Sequence, residues 1–210
     1  MGFGYLFIGY IFFLYPVSHY LLAPAALVML LGLRRLAAYN DGYRMARNLL
    51  FPALIGGAFM LTLAILGQYG IVMPADGAVR RIVSMLLWAN LLFFHTALLR
   101  GTADISEETG LMRLRTASVR NLIFTSVYLF ARCILELDFG RYSALVYSRV
   151  MLAVMLLGLI VAILNLILIY GCYMYICLPG EETKIQREYG AMVDGLKKNL
   201  EDRNSKKGDR

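Results

Sequence analysis

The chain has 210 residues, of which 60% are hydrophobic and only 17% charged. Soluble domains carry roughly 45–50% apolar residues and about 25% charged ones, so a water-soluble fold is excluded, and so is a disordered chain. The formal charge of +7 does not point to nucleic acid. The basic residues fall between apolar segments, as membrane-orientation signals do, and form no basic stripe interleaved with stacking aromatics.

Apolar segments run over about 3–14, 18–36, 47–68, 78–100, 118–137 and 147–176. The expected fold is therefore all-α, a polytopic transmembrane bundle of about six hydrophobic helices over residues 1–178. Residues 179–210 are expected to be a separate cytoplasmic segment, an amphipathic helix and a disordered basic tail. Three readings compete to explain residues 1–36. A signal peptide would need a basic first part, and no Lys or Arg precedes Arg34. One continuous helix of some thirty residues would measure about 46 Å, against a hydrocarbon core of roughly 30 Å. A helical hairpin fits better. Pro16 lies in the bend and Pro24 near the start of the second helix, where proline is tolerated. Gly2, Gly4 and Gly9 allow the first, short helix to pack closely, either as a thin span or as a re-entrant half-helix.

The start "GFGYLFIGYIFFL" and the later "LLGLRRLAAYNDGYRMAR" resemble a group of multi-pass membrane proteins of Gram-positive bacteria. The resemblance covers about the first fifty residues and implies the bent N-terminal hairpin. Members tend to carry acidic residues beside the proline, where this chain has Ala23 and Ala25 around Pro24. No activity is assigned to the group, so the resemblance implies none.

Between the later segments lie Asn40-Asp41-Gly42, a turn signal, then Gly70 and Pro74, a polar linker over 101–120 and a loop over 137–148. With alternating spans, sixteen Lys and Arg residues fall on one side and five on the other. The richer side reads as cytoplasmic, which puts both termini there, in a bacterial plasma membrane. In the tail, Ile185, Tyr189, Met192, Leu196 and Leu200 form one stripe of an amphipathic helix. Its eight basic and seven acidic residues nearly balance, which suits a helical protein partner or the chain's own loops better than an anionic lipid surface.

Polar residues inside spans mark the places where chemistry or pairing would sit. Asn90 and Asn165 lie near the middle of their segments and can meet across helices. Arg132 and Glu136 are four apart on one helix face and can pair. They sit toward the outer end with His19, as an outward-facing polar cavity or as interfacial side chains that snorkel to water. His19 and His95 fall at different depths and match no metal or haem spacing, so no metal and no cofactor is expected. Cys133, Cys172 and Cys177 fit no zinc or redox motif and read as apolar packing residues. No hydrolase or zinc-protease motif is present. The expectation is a non-enzymatic accessory, scaffold or sensor subunit. The alternative is a small homo-oligomeric transporter or channel.

Overall fold

Asn40 starts the first long helix by a local device. Its side-chain oxygen accepts a hydrogen bond from the Gly42 amide at 2.6 Å, covering one of the four amides that open a helix without partners. The helix then runs Asp41–Gln68 (α3), straight through Pro52. The computed structural model describes residues 2–13, 21–69, 76–136 and 144–176. The other helices are Gly2–Phe13 (α1), Leu22–Leu36 (α2), Asp76–Glu108 (α4), Met112–Leu135 (α5) and Ala144–Tyr175 (α6). No strand occurs among the described residues, so the fold is all-α as composition requires.

The polar linker expected over 101–120 is instead helix on both sides of a tight turn. α4 continues to Glu108 because Thr102 and Ser106 are buried and donate to the Leu98 and Thr102 carbonyls one turn back. Gly110, at φ 72°, then reverses the chain. The Leu111 amide donates to Ser106 O at 2.8 Å and the Gly110 amide to Glu107 O at 3.0 Å. That pair of bonds is a Schellman stop, in which glycine takes the left-handed conformation that side chains resist. Across the turn Arg115 Nε lies 3.0 Å from Glu107, an exposed pair that contributes little.

Each helix packs antiparallel on the next. Gly2 lies against Leu36 while Gly9 lies against Met29, Gly57 of α3 meets Leu22, and Gly42 meets Gly101. Ser118 of α5 reaches Leu99, and Asn121 reaches Leu164 of α6. The circuit closes where α6 returns to α1: Gly4 faces Tyr173, and the Phe7 and Tyr170 rings stand 5.7 Å apart. α1 therefore starts, and α6 ends, at the same end of the bundle. The inward face of α1 carries Phe3, Leu6 and Tyr10, all buried. Phe3 meets the Tyr43 ring of α3 edge-on, and Tyr10 meets the His95 ring of α4.

Four helices are long and apolar enough to cross a membrane: Asp41–Gln68, Val79–Glu108, Met112–Leu135 and Val146–Tyr175. Their outer faces are greasy, with Ile55 71% and Ile167 63% exposed. The first two helices differ. At 12 and 15 residues, α1 and α2 measure about 18 and 22 Å, both short of a hydrocarbon core of roughly 30 Å. The second was expected over 18–36, but its helix begins at Leu22. Residues 14–20, with the expected bend and His19, lie outside the described residues, as do 177–210 with the expected tail helix.

Glycine sets the closeness of the hairpin. A Cβ on Gly32 would stand 2.6 Å from the Gly2 carbonyl oxygen, a backbone atom that cannot move aside. Gly32→Ala should cost about 1–3 kcal/mol, as overpacked cores do. Gly67 has open space around it, so Gly67→Ala should be neutral or stabilise by up to about 1 kcal/mol. Thermal unfolding of the detergent-purified variants, followed by circular dichroism, checks both.

Candidate functional site

α5 is amphipathic the wrong way round for a soluble protein. Its exposed residues include Val119, Ile123, Val127 and Phe130, while Ser118, Asn121, Thr125, Tyr128 and Arg132 are buried. With Glu136 these fall at spacings of three and four, one continuous stripe on a helix. From Ser118 to Glu136 the stripe is about 27 Å long, nearly the depth of the hydrocarbon core. Lipid cannot bond to it, so α4 and α6 must.

The partners are specific. Ser118 Oγ donates to Leu99 O at 2.6 Å. Asn121 Nδ2 donates to Leu164 O at 2.9 Å, and Asn165 Nδ2 donates back to Thr125 Oγ1 at 3.0 Å. The Tyr128 ring fills the space that a side chain at Gly158 would need. Higher up, Tyr128 meets the Trp88 ring of α4 edge-on at 6.3 Å.

Trp88 organises the last turn. The Arg132 guanidinium lies over its ring, 4.5 Å from the centroid. Its indole Nε1 donates to Glu136 Oε1 at 3.1 Å, and Ser84 Oγ donates to the same oxygen at 2.9 Å. Arg132 and Glu136 share a face as expected but make no ion pair with each other; each uses the tryptophan instead. Arg132 does not snorkel to water. It is 4% exposed, because the indole face supplies a cation–π contact away from solvent. Its Nη1 donates to the Met151 sulfur at 3.1 Å, and its Nε has no hydrogen-bond partner among the described residues.

The two mid-span asparagines do not meet. Asn90 faces α3, where its Nδ2 donates to Leu49 O at 2.9 Å. That carbonyl lies three residues before Pro52, which has no N–H to give to Asn48 O, so the bond reinforces α3 where proline weakens its ladder. Asn165 belongs to the α5–α6 seam, and its Oδ1 is buried without a partner. His95 sits near the middle of α4, among the Tyr10 and Phe94 rings, and its Nδ1 donates to Leu91 O at 2.8 Å. No group of His, Cys, Asp and Glu suited to a metal occurs among the described residues. Cys133 and Cys172 are free thiols, and Cys177 lies outside the described residues.

Of the sequence-stated candidates, Arg132 and Glu136 are therefore brought to one place, Asn90 and Asn165 to two others. Trp88, Ser84, Met151 and the lower half of the stripe were missed. The stripe had a signal: polar residues at helical spacing inside an apolar segment.

If the Asn165–Thr125 bond holds α6 to α5, Asn165→Leu and Thr125→Val should be coupled by about 0.6–1.7 kcal/mol in a double-mutant cycle. Unfolding in mixed detergent measures it, and additive losses would mean the bond contributes nothing. Trp88→Leu should cost more than Trp88→Phe, by about 0.5–2 kcal/mol, since only phenylalanine keeps a ring under the guanidinium.

No protein-family model, curated protein or solved structure matches this chain.

Proposed function

We propose that this membrane protein is a non-enzymatic accessory, scaffold or sensor subunit. One observation carries the reading: the polar groups along α5 are spent mainly on bonds to α4 and α6. A helix tied in this way supports a fixed bundle rather than a wet path. The amphipathic stripe from Ile185 to Leu200 is the surface assigned to a helical protein partner. The excess of Lys and Arg over 34–47, over 100–120 and in the tail favours cytoplasmic termini. The resemblance of the first fifty residues favours a bacterial plasma membrane.

The transporter reading has one observation in its favour. The stripe runs nearly the depth of a bilayer, and Arg132 Nε and Asn165 Oδ1 along it are buried without partners. A homo-oligomeric carrier would use such groups.

Proteoliposomes separate the two. The purified chain alone should pass protons, cations and anions no faster than empty vesicles. Native membranes should yield it in a complex of fixed stoichiometry by native mass spectrometry, and deletion of residues 181–210 should release the partner. Flux that is lost in Asn165→Leu would replace the subunit reading with the transporter.

A further inference from the structure

Among the described residues, Arg132 is a charge without a counter-charge. Its guanidinium has five N–H donors in a planar fork. The groups it meets are an indole face at 4.5 Å and a thioether sulfur at 3.1 Å, neither of them anionic, while Nε meets nothing. The nearest carboxylate along α5, Glu136, already accepts from Ser84 and Trp88. Burying a cation this deeply is expensive unless an anion joins it. A thioether is among the weakest acceptors a protein offers, and methionine is among its most adaptable side chains. Met151 is also part-exposed, so a change of its rotamer would uncover Nη1.

We propose that Arg132 anchors a phosphate-binding site between α4, α5 and α6, with Met151 as its displaceable cover. The fork of a guanidinium matches phosphate oxygens in pairs, which a lysine ammonium does not. Trp88 holds the fork in place through its ring face while its N–H keeps Glu136 turned to the indole edge. The phosphate is either a lipid headgroup or a free ion, since both present the same oxygens.

Trp88 is the chain's one tryptophan, so its fluorescence reports on this site alone. The full chain in non-ionic detergent is titrated with inorganic phosphate, with short-chain phosphatidylglycerol and with an uncharged diacylglycerol of equal chain length. Ionic strength is held constant with chloride. A saturable change with both phosphate probes supports a site for the free group. A change with phosphatidylglycerol alone supports a lipid headgroup site. No saturable change, or an equal change with diacylglycerol, overturns the proposal. Arg132→Lys should weaken binding roughly tenfold or more, the value of a charge-assisted bond, and Met151→Ala should tighten it. Unchanged affinity in a folded Arg132→Lys variant overturns the site. If that variant does not fold, Met151→Ala decides alone, and failure to tighten is then the overturning result.

Discussion

Every polar group inside a bilayer must find its partner within the protein, because lipid offers none. α5 places that demand on the whole bundle. It has its polar residues on one face, and this face is about as long as the hydrocarbon core is thick. The neighbouring helices answer with backbone carbonyls at Leu99 and Leu164, with an asparagine at 165, and with an indole at Trp88. Moving α4 or α6 along its axis by one residue, about 1.5 Å, would break several of these at once. The register of the three helices is thus held by hydrogen bonds rather than by apolar packing, which lipid tails could equally satisfy.

The other half of the bundle is built on small residues. Gly2, Gly9 and Gly32 let α1 and α2 approach until backbone meets side chain, and Gly42 lies against Gly101 where α3 crosses α4. Close approach brings the Tyr43 hydroxyl within 3.0 Å of Thr102 Oγ1. The short hairpin reaches α4 through Tyr10, whose ring meets His95 edge-on. α4 thus lies between the polar seam, through α5, and the glycine-packed half, through α3.

Much of the fold was legible because it follows from local rules. Apolar runs and the Asn40-Asp41-Gly42 signal mark helices and their ends through contacts within a few residues. The hairpin followed from length, since one helix through Pro16 and Pro24 would overshoot the bilayer. The stretch over 101–120 misled because Thr102, Ser106 and Ser118 are polar, and polarity in a membrane chain reads as loop. In the structure those hydroxyls bond to carbonyls and are buried. For the site, Arg132 and Glu136 were visible as an i,i+4 pair, but their mutual attraction was not decisive. Trp88 lies more than forty positions away in the chain, and its ring face and N–H separate the two charges.

The sequence by itself determined that the chain is a bundle of membrane helices, roughly where each helix lies, and that its first is short. Those properties depend on hydropathy and on hydrogen bonds between residues four apart. Only the tertiary structure decided that α6 closes onto α1, that Asn90 serves α3 while Asn165 serves α5, and that Arg132 is buried rather than surface-seeking. These outcomes depend on which helix faces which and at what register. That is set by contacts between residues far apart in the chain, where a one-residue slip exchanges one partner for another.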